Sequence, residues 1–405
     1  MALNELQAIV DDLAQRLDVP IVLEDQEHRM VVYSSQSEAI DDIRRDTILR
    51  REARTEVKDW FRQFGILQAT APLRIPSHCE LGILGRLCAP IWFRTWLLGF
   101  LFMIDNEAKL DDGAIALVQQ AASHAGLLLY EEELARRLSA SVLSHLLAAD
   151  TDLRDAAARQ LTEQGITPAD ASHAVVYVRR ADDIASPEWR EQIDEALFEL
   201  SRKIGHVGLV QAARHDHGVL LVPSAAPDED RAAVEVAQEI LAALARRYRP
   251  SGADDCHPAR FIAGIGDPQR HLTAAMTSYR QAQLAATVAA AVPAVGDLAR
   301  WADLGAFRML AQIPVYEDCE RSLDPRLVML LGTDPELVRT VEAYLDLAGD
   351  AKRTAEYLHL HRATLYYRLD KAQQLTGVDL RDGNDRLALH MSLKLARLVG
   401  RWTTA

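Results

Sequence analysis

From Asp111 to about Asp150 the chain runs nearly forty residues without a proline, with Ile115, Val118, Ala122, Ala125, Leu129, Leu134, Leu138, Val142 and Leu146 at helical spacing. A helix of that length is a rod of about 60 Å at 1.5 Å per residue, longer than one compact domain needs. It therefore divides the 405 residues into a module before it and further modules after it. Rods of this kind connect domains, pair with a copy of themselves, or both. The seam is too irregular for strict heptads, so self-pairing and packing on its own domain both stay open.

Residues 1–110 open with an amphipathic helix (Leu3, Leu6, Ile9, Val10, Leu13, Leu17). Two short apolar runs, Ile21 to Leu23 and Met30 to Tyr33, flank Glu24 to His28 and read as a hairpin. The charged stretch Asp41 to Phe64 reads as helix, and Ala69 to Ile75, Arg86 to Phe93 and Trp96 to Ile104 as strands. This order is that of a small α+β module with one antiparallel sheet. Trp92, Phe93, Trp96, Phe100 and Phe102 read as sheet core, with an aromatic effector pocket as the alternative. His78, Cys79 and Cys88 read as loop or core positions, the alternative being a metal or redox sensor.

Beyond the rod, residues 151–300 alternate β-α-β-β-α-β: strand 174–178, helix 187–204, strands 207–213 and 219–222, helix 228–248 and strand 261–265. That is the order of a split βαβ, ferredoxin-like sheet, with an Ala-rich helix from His271 appended. Residues 301–333 read as a linker.

With 49% hydrophobic and 26% charged residues the chain is expected to be globular. No apolar run reaches the roughly 18 residues of a membrane span, and the first residues lack the basic and apolar regions of a signal peptide, so a cytoplasmic protein without membrane contact is expected. Cys79, Cys88, Cys256 and Cys319 have no C-x-x-C spacing and read as reduced thiols. There is no phosphate-binding G-x-x-x-x-G-K-[ST], no G-x-S-x-G and no H-E-x-x-H, so no enzyme activity and no cofactor or metal is called for. His215-Asp216-His217 invites a metal reading, but neighbouring strand residues face opposite ways and a polar turn is commoner.

Residues 334–405 carry the most information. Asp334-Pro335 is an N-cap followed by proline at the first helical position; Leu337, Val338, Val341, Tyr344, Leu345 and Leu347 form an apolar face, and Gly349 stops the helix. Asp350 caps a short second helix, the turn His359-Leu360-His361 follows, and a third helix begins at Arg362. This is the sequence form of a helix-turn-helix. Leu365, Leu369, Ala372 and Thr376 share one side of the third helix; Ala363, Tyr367, Asp370, Lys371 and Gln374 share the other. A recognition helix enters the major groove by its N-terminal turn, which assigns Arg362, Ala363, Thr364, Tyr366 and Tyr367 to DNA contacts. Lys352, Arg353 and Lys371 are assigned to the backbone. A final helix, 384–401, is expected to bury Leu387, Leu389, Leu393 and Leu398.

Charge agrees with that assignment. The chain as a whole carries -14, which by itself argues against nucleic acid. Between Ala351 and Arg401, however, ten basic residues stand against five acidic ones, +5, leaving -19 on the first 350.

Val341 to Leu380 closely resembles the C-terminal helix-turn-helix of the PucR/CdaR-type transcriptional regulators, through His361-Arg362, Thr364-Leu365, Tyr367-Arg368-Leu369 and Leu375-Thr376-Gly377. Gly264-Ile265-Gly266 with Ser278-Tyr279-Arg280-Gln281-Ala282 resembles the degenerate GGDEF-like domain that precedes it in that family, and the first module resembles a GAF-type sensor in its order of elements. The resemblance implies an effector-responsive regulator that binds double-stranded promoter DNA as a homodimer or higher homo-oligomer, with a small-molecule effector at the N-terminal domain. An active diguanylate cyclase needs metal-holding carboxylates and glycines at the hairpin that here reads Arg214-His215-Asp216-His217-Gly218. Only Asp216 and Gly218 match, so cyclase activity is not expected; a nucleotide-signalling or nucleotide-binding protein with interaction helices is the competing reading. The family commonly has asparagine at the position of Ala363, so its operator preference does not carry over.

Overall fold

The computed structural model describes residues 2–35, 40–50, 53–168, 170–182, 187–204, 209–224, 229–247, 260–313 and 323–402. The fold is multidomain α+β and divides into two compact units, residues 1–138 and 139–405.

In the first unit α1 (Ala2–Leu17), β1 (Ile21–Asp25), β2 (Met30–Tyr33), α2 (Asp42–Arg50), α3 (Thr55–Gln63), β3 (Leu73–Ile75), β4 (Arg86–Phe93) and β5 (Trp96–Ile104) precede the long α4 (Asp112–Leu146). The charged stretch expected as one helix is two, α2 and α3. The five strands form one antiparallel sheet in the order β2-β1-β5-β4-β3. Strand alternation gives the sheet two apolar faces. Leu23, Leu87, Ala89, Leu101 and Met103 pack with Leu6, Val10 and Leu13 of α1 and Val118, Ala122 and Ala125 of α4. Cys88, Phe100 and Phe102 face the other way, against Ile43, Val57 and Phe61 of α2 and α3. Trp96 is 43% exposed and not core, standing edge-on to Tyr130 under the Arg137 guanidinium. It stands at the start of β5, beside the turn Arg94-Thr95, outside both cores of the sheet.

The rod stops earlier than its composition suggests. Asp150 accepts from the backbone N–H of Asp152 and Leu153 and starts α5 (Thr151–Glu163), while Arg154 Nη1 donates to the carbonyls of Ala148 and Ala149. The cap and the arginine together satisfy both helix ends at the break.

In the second unit β6 (Ser172–Arg180), α6 (Pro187–Ile204), β7 (Val210–Ala213), β8 (His217–Ser224), α7 (Arg231–Arg247), β9 (Phe261–Ile265), α8 (Ala275–Ala291) and β10 (Leu298–Arg300) follow in order. The sheet order is β10-β9-β6-β8-β7, with β10 parallel to β9 and the other pairs antiparallel. Strands β6 to β9 have the split βαβ arrangement expected. Trp189, Ile193 and Leu197 of α6 with Val236 and Ile240 of α7 fill one side; α8 fills the other with alanines 282, 285, 286 and 289. Small residues allow this helix to lie close on the sheet, and at Gly264 and Gly266 it lies closest. A Cβ on Gly264 would overlap the Ala282 carbonyl and come within 2.6 Å of Ala286 N, and one on Gly266 would overlap the Ser278 carbonyl. Ser278 Oγ in turn accepts from Val175 N, tying α8 to the central strand.

Residues 301–333, read as a linker, hold α9 (Phe307–Leu310) and α10 (Pro325–Leu331), the latter capped by Asp324. Trp301 and Leu304 belong to the core beneath α8, whereas Leu323, Leu327 and Leu330 belong to the C-terminal core.

His173, on β6, is buried, and burial pushes its imidazole pKa down to about 4; burial also lowers that of His217 on β8. The unfolded chain, with ordinary histidines near pKa 6.5, binds protons more readily than the folded one. Stability contributed by these residues is therefore complete above about pH 6.5 and declines as pH falls towards 4. Urea denaturation at pH 7, 5.5 and 4.5 should show that decline, and His173→Phe should retain more of its pH 7 stability at pH 4.5 than the parent does.

Candidate nucleic-acid interface

The C-terminal helices are α11 (Pro335–Asp346), α12 (Ala351–Tyr357), α13 (Arg362–Thr376) and α14 (Gly383–Leu398). Each start is fixed by a side chain: Asp334 accepts from Glu336 N, Asp350 from Lys352 N and Arg353 N, and Asp382 from Asn384 N and Asp385 N. At α13 the cap is His361, whose Nδ1 accepts from Ala363 N at 3.3 Å. The turn before it bends at His359, in the left-handed region at φ 52°, and Leu360 N donates to Ala355 O at 2.8 Å. The turn is thus built from the histidines that bracket it.

Leu365, Leu369, Ala372 and Thr376 of α13 are buried with Leu337, Val338, Val341 and Leu345 of α11 and Ala355 of α12. Arg368 Nη1 reaches across to Glu336 Oε2 at 2.9 Å and Thr340 Oγ1 at 3.3 Å, so this signature arginine is a strut between α13 and α11. On α14 the expected core is corrected: Leu389 and Leu393 are buried, Leu387 is 58% exposed and Leu398 packs against the core beneath α8. Leu387 stands two residues, about 200°, from Leu389 on the helix and cannot share its face.

All eight residues assigned to DNA contact, Lys352, Arg353, Arg362, Ala363, Thr364, Tyr366, Tyr367 and Lys371, are exposed. The turns of α13 bring Arg362, Ala363, Thr364, Tyr366, Tyr367 and Lys371 onto its open side, and Lys352 and Arg353 lie at the N-terminus of α12. Tyr357, at the end of α12, is 66% exposed and adds a further open tyrosine to Tyr366 and Tyr367; its place beside the turn is the one sequence signal for it.

Some basic residues of this region are held by carboxylates and others are not. Lys394 and Arg397 of α14 are held by Asp346 and Glu342 of α11, and the Arg397 pair also receives Trp402 Nε1 on Glu342. Lys352, Arg353, Arg362 and Lys371 make no ion pair among the described residues. Between Asp324 and Asp350 there are six acidic and two basic residues, so the +5 of the last segment becomes about +1 for the helical unit from Asp324 onward. Of the cations without an ion pair among the described residues, Lys352, Arg353 and Arg362 lie at the N-termini of α12 and α13, Lys371 lies further along the open side of α13, and Arg381 and Arg386 lie at the start of α14. Cations without an internal partner, on a surface already exposed, need no rearrangement to meet phosphates.

Comparison with known proteins identifies residues 337–395 as a PucR C-terminal helix-turn-helix domain and residues 149–288 as a GGDEF-like domain. The chain is 22% identical to the proline-responsive transcriptional activator PutR of Bacillus subtilis (strain 168), over 97% of each chain. It is 21% identical to the DNA-binding transcriptional activator AdeR of the same organism, over 98% of this chain and 94% of that one. The purine catabolism regulatory protein of B. subtilis is 35% identical over 94 residues, 22% of this chain and 18% of its own. Among the described residues no helix is long and apolar enough to cross a membrane. The chain thus carries a GGDEF-like domain followed by the helix-turn-helix of the PucR-type transcriptional regulators, and it is similar to DNA-binding transcriptional activators along nearly its whole length.

Proposed function

We propose that α13 is the recognition helix of a sequence-specific regulator that acts as a homodimer in the cytoplasm and answers to a small-molecule effector at its N-terminal, GAF-like unit. The observation that carries this is the open face of α13, with Lys352, Arg353 and Arg362 at the N-termini of α12 and α13 and Lys371 further along α13, none of them in an ion pair among the described residues. Four phosphate contacts per protomer make about eight for a dimer on two half-sites, and a slope of log affinity against log salt near -7. A gel-shift titration with the DNA upstream of its own gene, from 50 to 200 mM salt, tests this. A slope shallower than about -3, or no preference for that DNA over random duplex, would defeat the assignment.

Dimerisation is supported by α4. Leu127, Leu134 and Leu138 are 42%, 43% and 46% exposed at spacings of seven and four, so they lie along one stripe of the helix. A second copy of the same helix is the occupant proposed. Sedimentation of Leu134→Glu with Leu138→Glu should give a monomer where the parent gives a dimer.

The hairpin at residues 214–218 supports a domain that transmits or assembles and does not turn over nucleotide. His217 points inward, its Nδ1 2.7 Å from Asp216 Oδ1 and its Nε2 3.1 Å from Tyr279 Oη, and a Cβ on Gly218 would sit 2.8 Å from Val178 Cγ1. The one carboxylate that matches the cyclase pattern is thus engaged with its neighbour, and the glycine faces core.

A further inference from the structure

The first turn of α14 meets the turn that joins α11 to α12. Gly349, in that turn, has a backbone φ of 80°, and a Cβ placed on it would stand 2.8 Å from Arg386 Nη2, 3.3 Å from its Cζ and 3.4 Å from its Nη1. The Arg386 guanidinium therefore occupies the space that a side chain at 349 would take. It is seated against backbone, where α12 starts, and Lys352 and Arg353 follow three and four residues after Gly349 as exposed residues of α12.

Asp346, Asp350, Asp382 and Asp385 flank this seat along the chain, and each is engaged elsewhere. Asp346 Oδ1 lies 2.6 Å from His390 Nε2, and its Oδ2 accepts from Lys394 Nζ at 2.8 Å. Asp350 Oδ1 accepts from Lys352 N and Arg353 N, and Asp382 Oδ1 from Asn384 N and Asp385 N. Asp385 accepts from Arg326 Nη1 at 2.7 Å and from Asp379 N at 2.9 Å. Arg386 is left without an ion pair or a side-chain hydrogen bond among the described residues. It is partly exposed, and none of its nitrogens is both buried and unbonded, so its donors open to solvent.

A guanidinium can only donate, and its planar fork matches the oxygens of a phosphate. Seated against Gly349, the Arg386 side chain has less rotamer freedom to lose on meeting one than a free surface arginine has. It also adds a cation from a second element to Lys352 and Arg353. We propose that Arg386 binds a DNA phosphate, so that α14 meets the duplex backbone alongside α12 while α13 enters the groove. Such a contact positions the unit on the duplex and reads no base.

This role for Arg386 rests on α13 being the recognition helix, and the test separates the two. The full-length parent, Arg386→Gln and Arg386→Lys are titrated by gel shift, from 50 to 200 mM salt, on the DNA upstream of the chain's own gene and on random duplex. Two charge-assisted contacts are lost from a dimer of Arg386→Gln, so binding should weaken about thirtyfold, by the same factor on both DNAs. The salt slope should become shallower by about 1.8. The melting temperature should stay at the parent's, since the side chain gives up no bond within the fold. Arg386→Lys should keep the parent's slope, because the charge remains, and bind more weakly, because the fork is lost. Parent-like affinity and slope in Arg386→Gln would overturn the contact, as would a loss confined to promoter DNA. A lowered melting temperature with an unchanged slope would overturn it too, by making Arg386 a support of the fold. If Arg362→Ala with Lys371→Ala loses binding while Arg386→Gln does not, only the contact from α14 falls; if that double variant also binds as the parent does, the recognition-helix reading falls with it.

Discussion

Gly264→Ala should unfold the central domain. The added methyl has no space: it would overlap the Ala282 carbonyl and stand 2.6 Å from Ala286 N, both backbone atoms inside a helix that cannot yield locally. Relief requires α8 to lift from β9, which opens the alanine-lined contact along its length and strands Val175 N, whose acceptor is Ser278 Oγ. Overpacking of a tight core costs about 1–3 kcal/mol, and rigid backbone on one side places this site at about 3 kcal/mol or more. That is a large share of a domain's whole stability. Urea denaturation followed by tryptophan fluorescence should show the second-unit transition lost or shifted far down, with the transition of residues 1–138 retained, since that unit has its own cores. A loss under about 1 kcal/mol would show that α8 is not seated as described. The same geometry gives the Gly264-Ile265-Gly266 and Ser278 signature a structural meaning: glycines for close approach and a serine for the tie.

Legibility in the sequence followed the range of the interaction. The Asp334, Asp350 and Asp382 caps act within three residues, and the first two were readable. His361 does the same work, but histidine is not a usual cap and its place in the turn hid it. The buried face of α13 was readable because one helical period fixes it. Asp41 and Arg44 were not, because a charged stretch ordinarily means a solvated helix; what buries them is Arg86, 45 residues from Asp41, on a strand whose alternation is apolar. Arg368 is the mirror case, a charged residue in the DNA-binding segment whose partner Glu336 lies 32 residues earlier. The +5 count treated it as available, along with Lys394 and Arg397, and the ion pairs show that it is not.

Arg362→Ala combined with Lys371→Ala should abolish specific binding at physiological salt. Both cations project from α13, are exposed and have no ion-pair partner among the described residues, so their loss should cost the fold little and remove two of the proposed phosphate contacts per protomer. A charge-assisted contact is worth about 1 kcal/mol or more net, so four lost contacts in a dimer amount to about 4 kcal/mol, or roughly a thousandfold in affinity. The salt slope should fall from about -7 to about -3.6, because half of the eight phosphates are no longer neutralised. Arg368→Ala provides the contrast: it should lower the melting temperature by cutting the strut to Glu336, with little change in slope. Ala363→Asn provides the other, since residue 363 is exposed on the open face and uncharged. An amide there can bond a base edge, which should shift the preferred half-site sequence at an unchanged slope. Unaltered affinity and slope in the double variant would mean that another face of the helical unit meets the DNA. A fall in affinity and slope with the sequence preference intact would leave the reading of bases to Ala363, Thr364, Tyr366 and Tyr367, whereas a relaxed preference would add Arg362 to the residues that read bases.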